Sequence, residues 1–179
     1  MSRLRIYKDS LPAKPIFDST DPEEIGVQLK KIDVKFQRWE NSLELDENAS
    51  TEDILSAYRP HLDILMGSTG AGSADVVKLT PDHPQADALR KKFLAEHIHT
   101  EAEIRFFVSG SGHFVMHEHG HVYDMHCKKG DLIFVPAGIK HWFDAGPQPD
   151  FTAVRVFTDT AGWVAHFTGD DISSHFPVA

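Results

Sequence analysis

The chain has 179 residues and a mass of 20.1 kDa, the size of a single domain. Its 18 basic and 27 acidic residues give a formal charge of −9, which excludes the clustered Lys/Arg of a nucleic-acid binder but not a small anionic substrate held by one or two arginines. One cysteine, Cys127, excludes an internal disulfide and a cysteine-built zinc cluster, and it suits a reducing compartment.

The opening MSRLRIYKDS lacks the apolar core of a signal peptide, and no run approaches the roughly 18 apolar residues of a membrane span. A soluble, cytoplasmic, monomeric protein with no nucleic-acid or membrane partner is therefore expected. Asp21-Pro22-Glu23-Glu24 reads as a helix start, and Ile25, Leu29 and Ile32 follow at helical spacing. A second helix is expected over 50–59, ended or kinked by Pro60, and a third over 84–95. Short β-like runs, VKF (34–36) and DVVKLT (75–80), lie between them.

From residue 103 the pattern changes to strands: IRFFVSG, a break at Gly110-Ser111-Gly112, HFVMH, a hairpin turn at Glu118-His119-Gly120, VYDMHC, DLIFVP and FTAVRVF. This predicts a mainly β barrel or sandwich with N-terminal helices. The expected organisation is one domain over 1–179, with helices and short strands over 1–95 and the main barrel strands over 96–179.

Twelve histidines are the compositional oddity, and their spacing is informative. His97 and His99 point the same way only on a strand. Glu103 shares their parity, but six extended residues span roughly 20 Å, too far for one ion, so a bend at 100–102 is needed to gather all three. Two histidines and a carboxylate leave open positions on a non-haem iron. A further candidate, His141, follows the corner Pro136-Ala137-Gly138.

His97-x-His99-x3-Glu103-x6-Gly110, with Gly130-x5-Pro136-x-Gly138-x2-His141, resembles the paired motifs of the cupin superfamily. Two motif positions depart, Lys91 in place of glycine and Ala145 in place of asparagine, and neither is a ligand. The wording EHIHTEAEIRFFVSGSG, VPAGIKHWFDAG and FTAVRVFTDTAGWVAHFTGDD is similar to the bacterial acireductone dioxygenases, and the likeness covers nearly the whole chain.

That resemblance implies a cupin barrel (a double-stranded β-helix or jelly roll) and one Fe(II) or Ni(II) per chain on His97, His99, Glu103 and His141. It implies cleavage of an anionic enediol, 1,2-dihydroxy-5-(methylthio)pent-1-en-3-one, by O2 in methionine salvage. The iron form would release formate and 4-methylthio-2-oxobutanoate; the nickel form would release carbon monoxide, formate and 3-methylthiopropanoate. Rival readings are a cupin sugar-phosphate isomerase or epimerase and a non-catalytic ligand-binding cupin.

Arg105 shares the parity of Glu103 and is expected in the interior, where the resemblance makes it the catalytic, substrate-binding arginine. Arg155, Phe93, Phe143 and Trp163 are further substrate contacts that the resemblance implies. Each ligand histidine should donate its other ring nitrogen to a nearby acceptor. Glu96 and Glu101 flank the candidate ligands and read as solvated charges, with proton transfer or support of the ligands as the alternative, and His117, His119 and His121 read as side chains diverging into water around a turn. Cys127 reads as a small strand residue.

Overall fold

One 16-residue strand, β6 (Glu103–Glu118), organises the molecule, because its two halves pair into different sheets. The fold is that of a computed structural model, which describes residues 1–39, 43, 45–46, 48–159 and 164–176. The first half of β6 lies between β8 (Asp131–Val135) and β10 (Phe151–Phe157). Beyond these, β3 (Lys35–Arg38) joins β8 and β4 (Ser73–Leu79) joins β10.

The second half of β6 lies between β7 (His121–Lys128) and β9 (Lys140–Asp144). β1 (Arg3–Lys8) and β2 (Phe17–Ser19) extend the sheet past β7, and β5 (His97–Ile98) and β11 (His166–Phe167) extend it past β9. All these pairings are antiparallel, and the pairing path runs from β11 to β2 without closing on itself. Short strands from residues 1–95 thus complete both sheets.

The expected break at 110–112 is instead continuous strand. Opposite β10 the register slips, with Thr152 facing Ser109 and Ala153 facing Phe107, so one residue is extra. This β-bulge flips the alternation. Glu103, Arg105 and Phe107 point inward before it; Phe114 and Met116 point inward after it. Gly110 sits at the flip with φ +68°, where a Cβ would come 2.0 Å from the Asp150 carbonyl oxygen, so both conformation and space demand glycine.

Side-chain alternation builds three apolar layers. Between the sheets, Leu4, Ile6, Phe107, Phe114, Met125, Ile133, Phe143 and Phe151 form the main core, closed at one side by Ile25 and Leu29 of α1 (Pro22–Leu29). On the outer face of the first sheet, Ile104, Phe106, Val154 and Val156 pack against Ile54, Tyr58 and Leu62. These last three come from α2 (Thr51–Ala57), α3 (Arg59–Thr69) and their junction. On the outer face of the second, Tyr7, Val115, Val122 and Trp142 are covered by Ile172 and Phe176.

Helices are found in the three expected places, the last being α4 (Ala86–Leu94). α3 was not expected. Pro60 lies in its first turn, where the missing N–H has no helical partner to lose, so it opens a helix rather than ending one.

Candidate metal centre

The strands bring the four spaced residues to one point. His97 and His141 are cross-strand partners on β5 and β9. The chain then leaves the strand over 99–102, as the reach argument required, and re-enters it at Glu103. The Gly138 N–H donates to the His99 carbonyl at 3.0 Å, tying this bend to the Pro136–Gly138 corner. All four side chains are buried, none more than 8% exposed.

Ring nitrogens of His97, His99 and His141 lie within 4.8 Å of one another. Each Nδ1 faces a main-chain carbonyl: Ala95 at 2.8 Å, Val164 at 2.9 Å and Ile139 at 2.8 Å respectively. A carbonyl only accepts, so each Nδ1 carries the proton and each Nε2 presents a lone pair. Yet His99 Nε2 and His141 Nε2 lie 3.2 and 3.3 Å from Glu103 Oε2, which is also an acceptor. His141 Nε2 is buried and finds no hydrogen-bond partner among the described residues.

Second protons do not answer this crowding for the whole cluster. Burial, reinforced by the neighbouring His141 and His99, pulls His97 down to about 4. His99 is raised: burial opposes its charge, but the hydrogen bond and charge of Glu103 outweigh that. Burial likewise disfavours the Glu103 carboxylate, and Arg105 and the two histidines overcome it, holding the group well below its ordinary value. Three inward lone pairs, one of them on the orphaned His141 Nε2, and one carboxylate suit a divalent transition ion, and the residues fit one.

Arg105 is 8% exposed and donates through Nη2 to Glu103 Oε1 at 2.7 Å. Its guanidinium carbon lies 4.6 Å from the Phe143 ring centre and 5.2 Å from that of Phe114. Its Nε is buried and has no hydrogen-bond partner among the described residues. Beside these groups is a cavity of about 70 Å³, walled also by Phe93, Lys92 and Arg155. A larger cavity of about 430 Å³ borders Ser109, Gly110 and Thr152, at the other end of these strands, and contains none of the four spaced residues.

Arg155 differs from Arg105 in having its own carboxylate: Nε and Nη2 grip Asp75 at 2.9 and 2.6 Å. Trp163 lies outside the described residues. Lys92 and Phe114 were missed in the sequence. The parity of Phe114 is hidden by the bulge, and Lys92 carries no motif signal.

The ARD/ARD' family model matches residues 3–165. The chain belongs to that family. An acireductone dioxygenase from Acidiphilium cryptum is 63% identical over all of this chain and 99% of its own length. One from Granulibacter bethesdensis is 58% identical over the full length of both. Among solved structures, an acireductone dioxygenase from Bacillus anthracis with a cadmium ion in its active centre superposes with a TM-score of 0.79 at 28% identity. That match covers 93% of this chain and 98% of the other. The mainly β architecture with few helices is accordingly the cupin fold, and this ARD/ARD' family member is an enzyme of the dioxygenase class.

Three flanking expectations are corrected. Glu96 is not solvated: it is 2% exposed and accepts from His117 Nδ1 at 2.8 Å and from the Thr168 hydroxyl at 2.7 Å. His117 is correspondingly buried; His119 lies exposed in the turn, while His121 opens β7 half-buried with its Nδ1 2.9 Å from the His119 carbonyl oxygen. Glu101 accepts the Thr158 hydroxyl. Cys127 is a buried strand residue, as read from sequence, with burial pushing its thiol well up.

Proposed function

We propose that this single-domain chain is a metal-dependent dioxygenase that cleaves acireductone, 1,2-dihydroxy-5-(methylthio)pent-1-en-3-one, with O2 in methionine salvage. His97, His99, Glu103 and His141 would hold one Fe(II) or Ni(II), since imidazole and carboxylate donors suit both ions. The observation that carries the reading is the set of three inward Nε2 lone pairs beside the Glu103 carboxylate, with every Nδ1 engaged by a main-chain carbonyl. When bound, such an ion would act as a Lewis acid for an enediolate that chelates it through two oxygens, stabilising the ionised form whose electron-rich double bond is the one open to O2.

The chain supplies the rest. Arg105 holds Glu103 through Oε1, which leaves Oε2 facing the histidines. Its buried Nε–H, without a partner among the described residues, would be available to an anionic substrate oxygen. In this reading Arg105 has the catalytic task of offsetting the enediolate charge. Phe93 and Phe143 meet edge to face at 6.2 Å and would exclude water around the methylthio tail. Arg155, already matched by Asp75, would contribute to the cavity wall more than to charge. The negative net charge and the buried single cysteine support a soluble, cytoplasmic, monomeric enzyme.

The test is to strip the protein of metal, reload it anaerobically with Fe(II) or Ni(II), and add acireductone and O2. Formate with 4-methylthio-2-oxobutanoate is expected from the iron form. Carbon monoxide, formate and 3-methylthiopropanoate are expected from the nickel form. No oxygen uptake by either loaded form refutes the reading.

A further inference from the structure

Gly112 stands behind the cavity, not in it. A Cβ at this position would come 2.3 Å from Phe143 Cζ and 2.6 Å from Phe143 Cε2. Gly112 is not among the glycines with positive φ, so backbone freedom does not account for it. Space does: the Phe143 ring lies where any other side chain would begin.

The ring has little choice of where to go. It meets Phe151 at 5.1 Å and Phe107 and Phe114 at 6.2 Å, inside a core packed at close to crystal density. Phe143 itself lines the cavity. A Cβ on residue 112 would push the ring roughly 1.2 Å, the difference between 2.3 Å and an ordinary carbon–carbon contact of about 3.5 Å. The cavity is only about 70 Å³. A ring displaced toward so small a space by that distance takes up a substantial part of it.

We propose that Gly112 sets the depth of the apolar end of the site: by making room for the Phe143 ring, it fixes the longest unbranched apolar tail that can be seated beside the four converging donors. The proposal rests on the reading of this cavity as a substrate site, and Gly112 acts through Phe143 as a positioning residue. The chemical class admitted is a bidentate oxygen chelator carrying a short linear tail.

The test measures binding without turnover. Alkyl hydroxamates with two-, four-, six- and eight-carbon acyl chains are titrated calorimetrically into the Ni(II)-loaded protein. In the wild type, affinity should rise by up to about fourfold per buried methylene and then stop rising at a break length. Gly112→Ala should move the break to a shorter chain and weaken the longest seated hydroxamate by about tenfold, the worth of one to two methylenes. Ni(II) affinity and binding of the two-carbon hydroxamate should hardly change.

Adding Phe143→Leu to Gly112→Ala should restore the break. If Gly112→Ala does not fold, Phe143→Leu alone must move the break to longer chains. Equal weakening at every length, or an unmoved break in whichever variants fold, overturns the proposal. Oxygen uptake by the wild type with acireductone is measured separately. Its absence with a shifting break would sink the dioxygenase reading and leave the depth determinant standing; uptake with an immobile break would do the reverse.

Discussion

Replacing Arg105 by Met isolates the electrostatic core of the site. The guanidinium is the full positive charge beside the buried Glu103 carboxylate, at 2.7 Å, while methionine keeps a polarisable group against the Phe143 and Phe114 rings. Removing one partner of a buried ion pair costs about 3–5 kcal/mol because the other charge is left uncompensated. In a chain of this length 1 kcal/mol moves Tm by about 2–4 °C, so metal-free Arg105→Met should melt roughly 6–20 °C below the metal-free wild type. Reloading with Ni(II) returns a positive partner to Glu103, and the deficit should shrink to less than half. Differential scanning calorimetry of chelator-treated and reloaded protein, both at pH 7, reads this directly. Equal deficits in the two forms would refute the reasoning, because the loss would then owe nothing to the carboxylate facing the histidines. A metal-free variant that melts with the wild type would refute it equally.

Three further outcomes are expected. Thr168→Val removes the hydroxyl donated to Glu96 at 2.7 Å, loosening the C-terminal segment whose Val164 carbonyl orients His99. Metal affinity, read by competition with a chromophoric chelator, should fall by about tenfold or more. His126 is held at about 4, against 6.5 unperturbed, first by burial and then by the charges of His113 and Lys128. The unfolded chain takes up this proton below pH 6.5 and the folded chain only near 4, so stability is lost as pH falls through that window; His126→Gln should flatten the urea midpoint against pH there. Gly110→Ala must adopt φ +68° and collide with the Asp150 carbonyl, and should cost roughly 2–5 kcal/mol in urea unfolding.

The point where the four donors meet was legible in the sequence because two simple rules over-determine it. Period-two alternation places His97 and His99 on one face, and the reach of an extended chain forces the bend before Glu103. What stayed hidden was set by distant partners. Glu96 and His117 look like surface residues, yet Thr168, 72 positions beyond Glu96, folds back onto the glutamate and supplies its hydroxyl. The Gly-Ser-Gly stretch reads as a break because a bulge that transfers one strand between two sheets has the same local composition as a turn. β1 alternates Arg3, Leu4, Arg5, Ile6, a strand pattern passed over in the N-terminal stretch; β7 is the partner that identifies it.

The Nδ1 acceptors of the three histidines bear on how such a site evolves. His97 and His141 are each oriented by the carbonyl two residues earlier in the chain, a group that no point substitution deletes. Drift at neighbouring side chains therefore leaves those two rings largely insulated. His99 alone leans on a remote carbonyl, that of Val164, carried by a segment anchored through Thr168 and Glu96. Substitutions that unseat that segment therefore reach one ring of the three and leave the other two as they are.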